Sequence, residues 1–229
     1  GRDIRQDVYL YGGYLQNEWK NKDVSFLIGL RGEKHSMLKR PIFSPRANVR
    51  YTPIKEVVLR ASYASGYRAP QTYDEDLHVG AVGGEVSLIQ LSDSLRPEMS
   101  HSVSASVDWA KKIGAWETNL TLEGFFTQLN DVFSLVENGH DDLGNLLLLR
   151  TNEKGARVYG MNIEGKVAYK TKFVFQLGYT YQRSRYIEAV TWSEDESILP
   201  QTRMFRTPDH YGYFMATYEP IRKFTINLN

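Results

Sequence analysis

Cysteine is absent from all 229 residues, which excludes a disulfide framework, a zinc knuckle and a thiol nucleophile together. Charge of one sign is not in excess, since 28 Lys and Arg stand against 27 Asp and Glu. The concentrated basic footprint of a nucleic-acid binder is therefore missing, and no nucleic acid is expected as a partner. Long apolar runs are missing too. The longest, such as Leu146 to Leu149, reach only about four residues, where a membrane-spanning helix needs roughly twenty. The opening residues, Gly1 to Asp7, lack the apolar core of a signal peptide, so the chain is either cytosolic or a piece of something longer. Catalytic signatures are equally scarce: there is no Gly-x-Ser-x-Gly, no His-Glu-x-x-His and no P-loop. His101 beside Ser100 and Ser102 is the one place for a Ser-His pair, and neighbours on a strand point to opposite faces, so it fails. No enzyme, resident cofactor or metal is expected.

What the sequence does contain is hydrophobic alternation of period two. From Ser100 to Trp109, His101, Val103, Ala105, Val107 and Trp109 fall on one face, with Ser102, Ser104, Ser106 and Asp108 on the other. Trp116, Thr118, Leu120 and Leu122 oppose Glu117, Asn119, Thr121 and Glu123. Tyr159, Met161, Ile163 and Val167 oppose Asn162, Glu164 and Lys166, and Phe173, Phe175, Leu177, Tyr179 and Tyr181 oppose Gln176, Thr180 and Gln182. The pattern predicts about ten strands. They lie near residues 7–18, 24–33, 42–51, 57–66, 97–109, 115–126, 157–169, 173–186, 209–218 and 223–229.

The connections alternate short and long. Lys20 to Asp23, Thr52 to Glu56, Ala110 to Gly114, Lys170 to Lys172 and Glu219 to Arg222 read as tight turns, while 34–41, 67–96, 127–156 and 187–208 read as long loops. Aromatic residues gather beside the short turns: Trp19, Trp109, Trp116, Tyr169, Phe173, Tyr218 and Phe224. An all-β, antiparallel up-and-down meander with these features describes an outer-membrane barrel, whose periplasmic turns are short and whose aromatic girdle sits at the headgroup level. A soluble β-sandwich or barrel shows the same alternation. Several strands here, however, approach the nine to eleven residues that cross a bilayer at a tilt. A passive porin remains the alternative of another class, distinguished by an open lumen.

Ala61-Ser62-Tyr63-Ala64-Ser65-Gly66-Tyr67-Arg68-Ala69-Pro70 resembles the strand ending in Gly-Phe-Arg-Ala-Pro of TonB-dependent outer-membrane receptors, with Tyr67 in place of Phe. Leu95-Arg96-Pro97-Glu98 is similar to that family's Leu-Lys-Pro-Glu. Further likenesses follow in the family's order: Tyr14 to Trp19, Gly29-Leu30-Arg31, Ser44-Pro45-Arg46, and Asn152 to Glu164 with Gly155 and Gly160. The resemblance implies that residues 1–229 are part of a large barrel of about 22 strands, with the plug domain and both barrel ends lying outside the chain. It implies residence in the outer membrane of a Gram-negative bacterium, contact with outer-membrane lipid, and energy delivered by the TonB complex through the plug. The ligand it implies is a scarce nutrient chelate, a ferric siderophore first, with heme or cobalamin as alternatives within the family.

Two kinds of candidate site residue follow. Tyr67, Arg68, Ala69, Pro70, Leu95, Arg96, Pro97 and Glu98 are structural candidates: Pro70 lacks a backbone donor and ends its ladder, and Arg68 is placed to pair with Glu98 on the adjacent strand. Candidates for ligand contact on the long-loop side are Arg68, Tyr73, His78, Arg183, Arg185, Trp192 and Arg203, because guanidinium groups and rings together suit an anionic aromatic chelate. Solvation, or the phosphates of lipopolysaccharide, explains surface arginines equally well. His78 carries the heme alternative, since one imidazole suffices to ligate heme iron. Asp74-Glu75-Asp76 and Asp141-Asp142 offer hard oxygens for calcium, without the spacing of a calcium loop.

Overall fold

A computed structural model describes residues 7–70, 87–170, 172–191, 197–204, 207–221 and 223–229. Every regular element among them is a strand: β1 (Leu10–Lys20), β2 (Val24–His35), β3 (Ile42–Ile54), β4 (Val57–Arg68), β5 (Ser87–Leu91), β6 (Glu98–Ile113), β7 (Trp116–His140), β8 (Leu146–Tyr169), β9 (Phe173–Val190), β10 (Gln201–Arg203), β11 (His210–Ile221) and β12 (Phe224–Leu228). Ten of them form one meander in the order β1-β2-β3-β4-β6-β7-β8-β9-β11-β12, each antiparallel to the next, with β10 paired to β9 and β5 to β8.

The tight turns fall where the sequence places them. In the first, Asn21 Oδ1 accepts from the N–H groups of Asp23 and Val24 at 2.9 and 2.7 Å, mimicking a backbone turn. Gly114 between β6 and β7 has φ of +62°, a conformation that costs glycine little.

Alternation along the strands becomes two distinct faces of the sheet. Trp116, Leu120, Leu122 and Phe126 of β7, and Tyr159, Met161 and Ile163 of β8, share one face and are each at least 40% exposed. Among the described residues the buried apolar ones are only Leu38, Ala69, Ala156 and Ala168. A water-soluble sheet hides its apolar face against a second layer; this one leaves it bare, as a sheet solvated by lipid does.

Register adds a stagger. Ser25, at the turn end of β2, shares its rung with Arg50, Arg60, Ser106 and Glu123, so it lies level with a residue well inside β7. Such a shift tilts the strands against the axis about which the sheet curves, as barrel closure requires. On β8 the ring of Tyr169 at the turn end and that of Tyr159 stand ten residues apart. At about 3.4 Å per residue and a tilt of about 45°, that is a band roughly 24 Å tall, the height of an outer-membrane hydrocarbon layer.

Two expectations change. Most of 127–156 is not loop: β7 and β8 run to 25 and 24 residues and form a paired arm beyond the band. Pairing persists there from Val132–Glu153 to Glu137–Leu148, and the Leu146 to Leu149 run suits a strand with a partner on each edge, β7 on one and β5 on the other. The β5–β8 pair is parallel, the one departure from an antiparallel pattern among the described residues. A parallel partner needs a long connection, and residues 92–145, which include β6 and β7, separate β5 from β8.

Candidate functional site

Polar residues line the opposite face, which is the lumen side of a closed barrel. Hydrogen bonds run from strand to strand across it. Arg60 pairs with Asp108, whose second oxygen accepts from Thr121 at 2.8 Å. Ser62 and Ser104 meet at 2.9 Å, as do Ser102 and Thr127. Glu123 accepts from Asn162 at 3.0 Å, and Asn162 accepts from Thr180 at 2.9 Å, so one rung is bonded over β7, β8 and β9. Further round, Arg46 of β3 reaches across β2 to Gln16 of β1. It can do so because Gly29 lies between them: a Cβ there would stand 3.0 Å from Arg46 Nε. Arg31 binds Glu33 at 2.6 Å on the same wall. Arg31, Arg46, Arg50 and Arg60 thus give β2, β3 and β4 a guanidinium-rich inner surface, while β6, β7 and β8 contribute Asp108, Glu117, Glu123 and Glu164.

The rim is built where β4 ends. Arg68 and Glu98 are the last directly opposed pair of the β4–β6 ladder, and their side chains meet in a two-bond fork of 2.7 and 2.9 Å. Glu98 also accepts the N–H of Phe133, and the Arg68 guanidinium lies 4.9 Å from the centre of the Phe133 ring. Ala69 and Pro70 follow, both buried, so the chain is clamped as it leaves the strand. Pro97 has no N–H to give and precedes the first residue of β6. Arg96 binds Asp131 at 2.6 Å. Asn152 completes the clasp: its Oδ1 accepts from Arg96 N–H at 2.8 Å, and its Nδ2 donates to the carbonyls of Arg96 at 2.9 Å and Asp131 at 2.6 Å.

Asp131 has φ of +56° and Gly155, across the hairpin, has φ of +132°. A Cβ on Gly155 would meet the Leu129 carbonyl oxygen at 2.1 Å, so only glycine fits this bend at the foot of the arm. Phe133, Asp131 and Asn152 were not singled out from sequence as rim residues. The signal was the Asn152-to-Gly155 stretch, whose partners are set by register that alternation alone does not fix.

The ligand candidates do not converge. Tyr73, His78 and Trp192 lie outside the described residues, as do Asp74, Glu75 and Asp76. Arg68 faces the lumen rim with its guanidinium held by Glu98. Arg183 and Arg185 stand elsewhere: their rungs run through Tyr159 and Phe126, and through Arg157, Gln128 and His101, on the face that carries the apolar band. Period two decides this, since Arg183 is an even number of residues from Tyr181, Tyr179 and Phe173. Arg185 and Arg203 share Asp209 at 3.7 and 3.6 Å. Asp141 uses both carboxylate oxygens to close the turn at the arm's tip, accepting from Leu143 and Asn145 N–H at 2.9 Å each and from Asn145 Nδ2 at 2.8 Å. That leaves it poorly placed for calcium, and no metal-holding group of three or more His, Asp or Glu exists among the described residues. His101 bonds Tyr63 at 2.9 Å, while Ser102 bonds Thr127 on the other face, so no Ser-His pair forms. Beyond the band on β9, burial and then the nearby Glu153 carboxylate raise the Tyr186 phenol above its usual range, which keeps it protonated.

A bare apolar band, an aromatic girdle, a hydrogen-bonded polar wall and a staggered meander now stand together. The sequence model of one family, the TonB dependent receptor-like β-barrel, matches residues 1–228. The chain belongs to that family. Its strands cross the outer membrane, with the short turns on the periplasmic side and the arm outside the cell. Curated protein sequences give no match. Solved structures do: a variant of the ferric enterobactin receptor PfeA from Pseudomonas aeruginosa is similar with a TM-score of 0.67 at 14% identity, over 96% of this chain and 31% of that one. The ferric-catecholate import receptor Fiu from E. coli gives 0.67 at 12%, over 96% and 33%. The FrpB iron transporter from Neisseria meningitidis gives 0.64 at 14%, over 94% and 31%. The chain thus spans about a third of the length of these structures, and at such identities they speak for the fold. The family is one of receptors and transporters.

Proposed function

We propose that this chain is part of the barrel of an energised outer-membrane receptor that captures a scarce anionic chelate, a ferric siderophore first, and passes it to the periplasm. The remaining strands of a barrel of about 22, and a plug contacting TonB, complete the protein in this reading. The observation that carries it is the guanidinium-rich wall of Arg31, Arg46, Arg50 and Arg60, facing inward in a member of this family. Planar guanidinium donors match carboxylate, catecholate and hydroxamate oxygens, and several on one wall can engage such a ligand together. The similar structures include siderophore, ferric enterobactin and ferric-catecholate receptors, which agrees with that chemistry. In mechanism, external segments close over the chelate. Movement of the plug then opens a path past Glu117, Asn119, Glu123, Asn162, Glu164 and Gln176, polar residues that keep the route wet without binding an anion tightly. Arg68, Tyr73, His78 and Trp192 stand nearest the mouth by sequence and are the first positions to vary for ligand contact, whereas Arg203 lies beside Arg185 on the outward face.

Radio-iron uptake in cells grown on single purified siderophores tests the reading. Uptake is expected to require both this protein and TonB. Uptake that survives loss of TonB, or steady ion conductance through the purified protein in a planar bilayer, would instead mark a passive pore.

A further inference from the structure

We propose that Asn138, near the tip of the arm, is a self-modification site: its side chain closes onto the backbone nitrogen of Gly139, expels ammonia, and opens in water to aspartate or isoaspartate. Asn138-Gly139 is the one Asn-Gly pair in the sequence. Glycine has no Cβ to block the approach of its own nitrogen to the neighbouring amide carbon. Both residues are exposed. The β7–β8 ladder passes from Glu137 opposite Leu148 to His140 opposite Leu146, so Asn138 and Gly139 together face Leu147 and neither has a directly opposed partner. Gly139 has φ of +78°, and a Cβ built on it would meet nothing within 4 Å, so the space round the reacting nitrogen is open. The hydrogen bond that the Asn138 amide gives to Gln90 Oε1 of β5 is 3.4 Å long, at the limit of such a bond, and restrains the side chain weakly.

The step balances with water alone. The Gly139 nitrogen, having lost its proton to solvent, bonds to Asn138 Cγ; the Cγ–Nδ2 bond breaks, and Nδ2 takes up a proton and leaves as ammonia. A cyclic imide remains, and water adds across one of its two carbonyl–nitrogen bonds. Cleavage at Cγ restores the ordinary backbone with an aspartate side chain. Cleavage at the Asn138 carbonyl carbon routes the backbone through Cβ and Cγ, giving an isoaspartate whose main chain is longer by one atom. Either product sets a carboxylate toward Gln90 Oε1, an acceptor where a donor stood, in a stretch that already carries Glu137, Asp141 and Asp142. Other asparagines of the arm lack these conditions. Asn152 is fixed by its bonds to Arg96 and Asp131 and precedes Glu153, while Asn145 gives Nδ2 to Asp141 at 2.8 Å and precedes Leu146. The reaction needs neither ligand nor energy supply, so it stands apart from the transport reading.

The test uses the intact protein, purified from outer membranes in mild detergent and incubated in mildly alkaline buffer, since the attacking nitrogen must lose its proton. Peptide mass spectrometry follows the change from amide to acid at each asparagine, and an isoaspartyl methyltransferase with a labelled methyl donor measures the isoaspartate. Conversion is expected at Asn138 and should quicken with alkalinity, while Asn145 and Asn152 keep their amides. Hydroxylamine should cut the partly aged protein between residues 138 and 139, where the imide stands. Asn138→Gln, whose longer side chain closes a larger ring far more slowly, should abolish the conversion at this position and leave the heat-modifiable band unchanged. Boiled protein, with its ladder gone, supplies the reference rate. A native rate more than roughly tenfold below that reference would mean that strand pairing shields the residue, and would overturn the site. So would conversion at Asn145 or Asn152 as fast as at Asn138, or a methyl label undiminished in the Asn138→Gln variant.

Discussion

Individual residues set the limits of this sheet at its glycines and at one ion pair. Gly155 and Gly124 look alike in the sequence, yet a Cβ at Gly155 meets a carbonyl oxygen at 2.1 Å while one at Gly124 meets nothing within 4 Å. Gly155→Ala should therefore cost more than about 2 kcal/mol and deplete the assembled barrel, whereas Gly124→Ala should be tolerated. The heat-modifiable band on a gel, quantified in isolated outer membranes, reads both. Arg68 and Glu98 form the other test. The arginine is half exposed, at 50%, and the glutamate 14%, so the pair is only partly shielded from water. A double-mutant cycle with Arg68→Ala and Glu98→Ala should return a coupling of about 1–2 kcal/mol, and a value near zero would remove the rim clamp from the account. This pair was legible in advance, because the two residues end two strands whose alternation fixes their direction. Its third partner, Phe133, was not, because it belongs to a stretch that reads as loop until the register is known.

At the scale of elements, the sequence carried the ten meander strands and the short turns, since a period of two over eight or more residues leaves little freedom. It did not carry the arm. Residues 127–140 and 146–156 mix polar and apolar positions less cleanly because they leave the bilayer, where neither face is forced to be apolar. The two short strands β5 and β10 were also hidden, being pairings of three to five residues made by tertiary contact rather than by pattern. The absence of cysteine from these 229 residues leaves their strands open to single-cysteine labelling. Single cysteines carrying spin labels along 116–126 of the intact protein should alternate in collision with oxygen and with a water-soluble nickel complex. Trp116, Leu120, Leu122 and Phe126 should favour oxygen, while Glu117, Asn119, Thr121 and Glu123 should not. Labels that respond alike at every position would mean that β7 is not half in lipid.

The whole molecule is a wall, not a globule. A sheet is stable in lipid only when its hydrogen-bond ladder closes, and the outer strands β1 and β12 each have one neighbour here. In the intact protein those edges are expected to pair with further strands, giving a barrel that migrates fast in detergent until boiled and slowly afterwards. A mobility indifferent to boiling would argue that the edges stay open. Sequence conveyed the class of this molecule well, through alternation and turn lengths, and conveyed its ligand poorly. Recognition in a large lumen is spread over many strands, and which inward residue meets which is decided by stagger.

The paired arm formed by the ends of β7 and β8 has one more outcome. Its tip is a tight turn sealed by Asp141, and its two strands hold each other from the bend at Gly155 outward. With about nine residues a side at about 3.4 Å each, this paired projection carries its tip turn roughly 30 Å from the bend at its foot. Insertions and substitutions are expected to be tolerated at the turn, while the bend stays fixed by sterics.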